Sequence, residues 1–258
     1  MPNQSGNRGT TKDFYFEVAR GNVPGHSAII IRGHNPDVDS GAAAEEDLAE
    51  FGNITYLSTS ETMDIASTDT SDAPGGDGML TMNVSGIAND GTVLTENVTM
   101  NGSTNVTTTG SYLRVNTMTA LTAGATGWNE GNITATASTA GTIQCEMDAT
   151  EGVSQNSHYT VASSQTFMLT QVEFNAARNA AGQDPTVEFK GYARPGGSTA
   201  AWLQLFDKKL AVDVTEEIDV LLPVPTKIPS GTDIRLRANT TNATTEVRSR
   251  MYAILVDN

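Results

Sequence analysis

Polar and apolar residues alternate with a period of two in the middle of the chain, from residue 79 to residue 118. Within 79–87, Leu80, Met82 and Val84 alternate with threonine, asparagine and serine, which is typical of a β-strand with one buried and one solvated face. Asn-Asp-Gly at 89–91 and Asn-Gly at 101–102 interrupt the alternation, as turn residues do. Further strands are predicted over 92–100, 104–109 and 112–118, and this spacing indicates a sandwich or barrel.

The flanking segments predict more strands and one helix. Strands are predicted N-terminally over 14–20, 27–32, 54–57 and 62–66, and C-terminally over 133–138, 142–147, 158–161, 166–175, 187–193, 201–206, 218–222, 234–238 and 247–256. The short helix is predicted over 45–51, where Gly52 is placed to cap it. The segments 67–78 and 121–132 are rich in polar residues and glycine, and both are predicted to be exposed loops.

These elements predict an all-β fold with two antiparallel β-sandwich domains, jelly-roll-like in form, and one short helix. Residues 1–12 are polar and aperiodic, and we expect a flexible N-terminal arm there. The boundary between the domains is placed at 148–157, where Ala149 and Val153 are the apolar residues. The prediction is therefore an acidic domain over 13–157 and a C-terminal domain over 158–258.

Charge is distributed unevenly over these domains. The chain of 258 residues has a formal net charge of −15, and residues 1–157 contain 5 basic and 19 acidic residues against 10 and 11 in 158–258. Nucleic-acid binding is not expected, because it depends on clustered lysine and arginine. No apolar run approaches the length of a membrane span, and the first residues lack the apolar core of a secretory signal. We expect neither membrane insertion nor classical secretion.

The residues do not predict catalysis. Neither a G-x-S-x-G nucleophile motif nor a phosphate-binding G-x-x-x-x-G-K-[ST] motif occurs in the sequence. Cys145, the single cysteine, lies in a predicted strand, where a small buried apolar residue is expected rather than a reactive thiol. Trp128 and Trp202 suit either core anchoring, the commoner use, or stacking against a sugar. No catalytic residue and no cofactor is assigned.

Two groups of residues were considered as metal ligands. Asn35, Asp37, Asp39 and Glu46 have spacing similar to a calcium loop, but Ser40 occupies the position where such loops carry glycine. A solvated loop with Asx turns is the favoured interpretation, and calcium in the loop 35–46 stays open. His26 and His34 flank an isoleucine-rich strand without a third nitrogen or sulfur ligand nearby. No metal ligand is assigned.

Several longer segments of the chain form a recognisable pattern. They are VSGIANDGTVLTENVTMNGSTNVTTTGSYLRVN at 84–116 and GWNEGNIT at 127–134, with NPDVDSG and EDLAEFGNITYL upstream and HYTVASSQTFMLTQVEF, LLPVPTKIPSGTDIRLRA and YAILVDN downstream. In these segments the chain resembles virion structural proteins of tailed bacteriophages, particularly marine ones. The resemblance extends over nearly the whole chain. It implies a non-enzymatic structural protein of the virion, in a head-decoration, head-fibre, neck or tail role.

The predicted function is a capsid-exterior decoration or head-fibre-like protein, assembled in the host cytoplasm and located on the virion. The alternative is a receptor- or glycan-binding tail or neck module. Expected partners are other virion proteins and further copies of the chain, with a trimer as one candidate oligomer. The predicted interface is formed by Trp202, Leu203, Leu205 and Phe206, because large apolar residues occupy both faces of their strand.

Overall fold

The computed structural model describes residues 11–41, 45–178, 184–196, 200–242 and 244–258. These residues form one helix and sixteen strands. The helix α1 spans Thr11–Ala19, and the strands are β1 (His26–Val38), β2 (Glu46–Asp47), β3 (Met63–Ser67), β4 (Met79–Ile87), β5 (Val93–Thr99), β6 (Val106–Thr107), β7 (Arg114–Ala123), β8 (Ile133–Ala137), β9 (Ile143–Met147), β10 (His158–Thr160), β11 (Gln165–Arg178), β12 (Thr186–Arg194), β13 (Leu203–Ala211), β14 (Thr215–Ile228), β15 (Asp233–Thr240) and β16 (Thr245–Asp257).

The strands form four small sheets. Sheet I has the order β1-β16-β11-β14, sheet II the order β10-β15-β12-β13 with β2 beside β15, sheet III the order β6-β3-β8-β9, and sheet IV the order β5-β4-β7. The strand pairs in these sheets are antiparallel. The prediction of an antiparallel all-β fold with one short helix is confirmed, but the arrangement is four small sheets and not clearly two jelly-roll sandwiches.

Two hydrophobic clusters form the core. The larger contains residues of sheets I and II, and the rings of Phe174 on β11 and Phe189 on β12 stack there with centroids 4.4 Å apart. The smaller contains residues of sheets III and IV, including Met63, Met82 and Met118. Burial alternates along β4, β11 and β12, because successive side chains of a strand point to opposite sides of the sheet.

The helix is not where the sequence predicts it. Residues 11–19, most of them in a predicted strand, form α1, which buries Val18 and leaves Phe14 and Phe16 exposed. Aromatic residues at 14, 15 and 16 fit neither a period of two nor a period of 3.6 well, so the pattern in this segment is ambiguous. The predicted arm 1–12 lies outside the described residues except for 11 and 12, which begin α1. Within the described part of the chain, no helix is long and apolar enough to cross a membrane.

The helix predicted over 45–51 is wrong. Residues 46 and 47 pair instead with β15 as strand β2. Asp47 is fully buried there, with Oδ1 3.2 Å from Nε of Arg237 and 3.5 Å from Nη1 of Arg235, and Oδ2 accepts a hydrogen bond from the backbone of Ile54. Contacts with residues far along the sequence therefore determine the conformation of this segment, in preference to its weak helix propensity.

Sheet pairing crosses the boundary proposed at 148–157. Strand β1 pairs with β16 from His26 opposite Val256 to Val38 opposite Thr245. Its residues Ile31 and Val38 belong to the larger cluster, so both ends of the chain form one core. The segment 154–158 is buried, and the backbone of Ser157 bonds to Arg32 and Leu236. The sheets thus do not divide the chain at one point.

The sequence predicted that the loop 67–78 is exposed, but part of this loop is buried. Asp72 within it is fully buried. Its carboxylate accepts hydrogen bonds from the hydroxyl of Ser67 and from the backbone N–H groups of Met79, Glu130 and Gly131, at 2.6–3.0 Å. Asp72 therefore joins this loop to the loop that precedes β8.

Candidate assembly surface

The predicted interface begins at strand β13, which is the edge strand of sheet II. Among the described strands it pairs only with β12, and the pairing is interrupted between Gly191 and Tyr192, which lie opposite Phe206 and Gln204. Leu205 is the extra residue of this β-bulge. A bulge changes the alternation of side chains, and this explains why Leu205 and Phe206, adjacent in sequence, both pack partly against the larger cluster.

The four predicted interface residues occupy different environments. Trp202 is half-buried, and Leu205 and Phe206 are partly buried. The ring of Phe206 covers the backbone of Gly191 and lies 6.1 Å from the ring of Phe174. Leu203 is 55% exposed. Leu203 alone of these four has the exposure expected of an interface side chain, while the other three anchor β13.

Strand β14 carries exposed apolar residues that the sequence analysis did not single out. It is the edge strand of sheet I, and it follows β13 in sequence and contacts it. Val214, Leu221 and Val224 on this strand and the preceding turn are 60%, 69% and 78% exposed. The sequence does contain a sign of the exposure of Leu221. Ile218, Val220 and Leu222 share one face of the strand, and Leu221 lies on the opposite face. With Leu203, these residues define the candidate assembly surface.

Trp202 lies against a stack of cationic and aromatic side chains behind that surface. The guanidinium carbons of Arg194 and Arg235 are 4.5 Å and 4.0 Å from its ring centroid. Arg194 is also 4.4 Å from the ring centroid of Tyr56, and Arg114 is 4.9 Å from it. Such cation–π contacts are strongest away from water. Trp202 therefore holds the start of β13 against sheet II and the segment containing Tyr56.

A buried ion-pair network continues from this stack. Asp233, the first residue of β15, has Oδ1 3.1 Å from Nε of Arg114 and Oδ2 2.6 Å from Nη2 of Arg194, and Thr160 donates a hydrogen bond of 2.6 Å to it. Burial by itself raises the pKa of Asp233, but the charge of Arg114 and the hydrogen bonds from Arg114 and Thr160 together lower the pKa below its ordinary value. Arg114 lies on β7 of sheet IV and Asp233 on sheet II. We call this ion-pair network the joint.

His158 lies beside the joint and is buried. Its Nδ1 is 3.1 Å from the hydroxyl of Tyr56. Burial lowers the pKa of His158 to about 4. The imidazole is therefore neutral near pH 7, with Nδ1 placed to accept the hydrogen of Tyr56.

The remaining residues considered from the sequence are dispersed. Cys145 is buried, as expected, and burial raises the pKa of its thiol to about 12. Trp128 is 50% exposed and does not anchor a core. Of the segment 35–46, predicted to be a loop, residues 35–38 belong to β1 and residues 42–44 lie outside the described part of the chain. Asn35 Oδ1 accepts a hydrogen bond from the backbone N–H of Asp37, as in the predicted Asx turn, and Asn35 Nδ2 donates to Glu46.

One of the two histidines considered as ligands does meet other ligand-type side chains. His26 contacts the backbone oxygen of Pro24. His34, at the other end of β1, lies with Glu50 and Asp148, and one ligand atom from each of the three is within 4.8 Å of the others. The partners of His34 are carboxylates from residues distant in the chain, which the spacing of nitrogen and sulfur ligands in the sequence does not reveal.

No protein-family model matches the sequence, and no curated protein matches it. Among solved structures, the chain is similar to "Structure of infectious bursal disease virus Gx strain", with 12% identity, 90% of this chain and 73% of that chain covered, and a TM-score of 0.27. A second, "Crystal structure of infectious bursal disease virus VP2 subviral particle", has 13% identity, coverage of 90% and 72%, and a TM-score of 0.22. TM-scores this low do not establish a shared fold.

Proposed function

We propose that this chain is a non-enzymatic structural subunit of a virus particle, of the tailed-bacteriophage type, attached to the capsid exterior as a decoration or head-fibre-like protein. The observation that carries the proposal is the candidate assembly surface, on the edge strands of two sheets. Exposed large apolar side chains on adjacent edges are typical of contact sites. The resemblance of the sequence to virion structural proteins supports the location on a particle.

The occupant of this surface is a second copy of the chain. Residues 158–258, which carry the surface, contain 10 basic and 11 acidic residues and are nearly neutral overall, whereas 1–157 has a net charge of −14. We expect the acidic part to face solvent, where salt screens its charge.

Contact through side chains is favoured over addition of a strand. Lys208 and Lys209 lie on β13, and Pro223 and Pro225 lie within β14. Lysine and proline on edge strands oppose pairing with another strand. The joint behind Trp202 holds β13 in place, so that the surface is presented in one geometry.

A second candidate function is recognition of a receptor or glycan by a tail or neck module. It is favoured by the exposure of Leu121 on β7 and of Trp128 in the segment after β7, each 50% exposed. An exposed indole ring can stack on a sugar.

Labelling of particles distinguishes the two functions. Mature virions are incubated with gold-labelled antibody against this chain and imaged by electron microscopy. Labelling distributed over the head supports the proposed function. Labelling confined to the neck or tail tip supports the second candidate, and absence of the chain from purified virions contradicts both.

A further inference from the structure

We propose that His34, Glu50 and Asp148 form a binding site for one divalent transition-metal ion, with Zn²⁺ as the best fit. The site does not depend on the proposed function. Its ligands come from β1, from the turn after β2 and from the residue after β9. A bound ion would therefore connect sheet I to the end of sheet III.

The distances between the three side chains fit coordination of one shared metal ion. Nδ1 of His34 is 2.9 Å from Oδ2 of Asp148, and ligand atoms of the three residues lie within 4.8 Å of one another. Ligands about 2.0–2.2 Å from a tetrahedral Zn²⁺ lie roughly 3.3–3.6 Å apart. Small side-chain rotations would bring the three atoms to this spacing. His34 is only 8% exposed, so water competes weakly for its ring nitrogens.

The surroundings of Nε2 of His34 support metal coordination through Nδ1. Nε2 is buried and faces Oε1 of Glu246 at 3.2 Å, which is within hydrogen-bond range although the contact is off the ideal direction. A carboxylate at this position favours the tautomer that carries its proton on Nε2. In that tautomer Nδ1 presents a lone pair on the side of Asp148 and can coordinate a metal ion, whereas in the other tautomer Nδ1–H donates the 2.9 Å hydrogen bond to Asp148. Metal-binding histidines commonly donate their other N–H to a carboxylate in this way.

Two carboxylates meet at this position. Glu50 and Asp148 each offer one ligand oxygen within 4.8 Å of the other and of His34. Asn132 donates to both Glu50 and Glu146, at 3.3 Å and 3.1 Å, and holds them in place. A divalent ion would bind between carboxylate groups that the fold already brings together.

The ligand types select the metal. One imidazole nitrogen with two carboxylate oxygens suits Zn²⁺ and related transition metals. Ca²⁺ and Mg²⁺ prefer sites made of oxygen ligands alone. We therefore expect Zn²⁺ to bind and Ca²⁺ and Mg²⁺ not to.

The test uses the full chain without an affinity tag, freed of metal with a chelator that is then removed by dialysis. Zn²⁺, Ca²⁺ and Mg²⁺ are each titrated by calorimetry, and the melting temperature Tm is measured with each. We expect one Zn²⁺ per chain and a Tm that rises with Zn²⁺ alone, because binding to the folded state stabilises it. Absence of Zn²⁺ binding at neutral pH overturns the proposal.

Variants locate the site. We expect His34→Gln and Asp148→Asn to weaken Zn²⁺ binding more than tenfold, and Glu246→Gln to weaken it by about 10- to 100-fold. His26→Gln is the matched control at the other end of β1 and should bind as the wild type does. If His34→Gln fails to fold, Glu50→Gln, at a less buried position, serves instead. Unchanged affinity in a folded ligand variant, or equal loss in His26→Gln, overturns the proposal.

Discussion

At the scale of single residues, the buried polar groups determine more of this structure than the sequence pattern revealed. Asp72 lies in a segment whose composition predicts an exposed loop, yet it accepts four hydrogen bonds and is fully buried. Hydropathy does not identify such residues, because a buried carboxylate and a solvated one have the same residue type. Cys145, which lies in a predicted strand with Ile143 and Met147, was predicted correctly to be buried.

Replacing Asp72 with alanine should strongly destabilise the fold. The backbone N–H groups of Met79, Glu130 and Gly131 would lose their acceptor, and each unsatisfied buried group costs roughly 1–3 kcal/mol. We expect the free energy of unfolding to fall by about 3 kcal/mol or more in urea titrations. Asp77→Ala, at an exposed position of the same loop, is the control. An equal effect of the two variants would contradict this role of Asp72.

His158 should make folding stability depend on pH between about 4 and 6.5. Its folded-state pKa of about 4 is below the ordinary value of 6.5, so the unfolded chain binds a proton in this window that the folded chain does not. This contribution falls as pH decreases, by at most about 1.4 kcal/mol per pH unit.

Comparing variants isolates this contribution from that of other titrating groups such as Glu50. The free energy of unfolding of wild type and His158→Gln is measured from pH 4 to pH 7, with His26→Gln as the matched control. The difference between wild type and His158→Gln should grow with pH and level off near pH 7. A constant difference would show that His158 does not titrate as described.

At the scale of elements, alternation predicted most of the strands, although the strand predicted over 54–57 is not formed, and it gave no information on which strands pair. Strand β4 has the predicted bounds, and β8, β9 and β16 differ from prediction by one or two residues at an end. The predicted helix was misplaced because the ion pairs of Asp47 lie outside any local window. For the candidate surface, the sequence identified β13 but missed β14. Leu221 and Val224 are exposed on a strand at the edge of sheet I, and the position of a strand within its sheet cannot be read from the sequence.

The contact between Phe206 and Gly191 should be sensitive to one methyl group. A Cβ at residue 191 would lie 2.4 Å from the ring of Phe206. We expect Gly191→Ala to displace the ring and lower Tm, because overpacking costs typically 1–3 kcal/mol. A double variant with Phe206→Leu should recover part of the loss. No recovery would show that the clash with Phe206 is not the cause.

At the scale of the whole molecule, the joint and the crossing of β1 connect parts that the sequence suggested were separate. The sequence predicted domains over 13–157 and 158–258 from composition and charge. Composition could not reveal that β1 pairs with β16 or that Arg114 meets Asp233, since both contacts join residues more than one hundred positions apart. The fold class was accessible from local pattern, whereas the connections between sheets were not.

Cleavage of the backbone near residue 151 should therefore not release a separate C-terminal unit. Glu151 is exposed, and a glutamate-specific protease is expected to cut after it. We expect both fragments to elute together in size-exclusion chromatography, because β1 remains paired with β16. Elution of a folded fragment containing 158–258 by itself would instead support two independent domains.

The central claim is that copies of this chain assemble through the candidate assembly surface. The most direct measurement is sedimentation equilibrium of the full chain, of the Leu221→Ser/Val224→Ser variant and of the control Val93→Ser. Val93 is 53% exposed on β5 of sheet IV, whereas the candidate assembly surface lies on strands of sheets I and II. Burying one such side chain contributes about 1.5–3 kcal/mol, so the double variant should dissociate at least tenfold more readily. The account predicts a concentration-dependent oligomer for wild type and Val93→Ser, weakened in the double variant. A wild type that stays monomeric, or equal weakening by Val93→Ser, would contradict it.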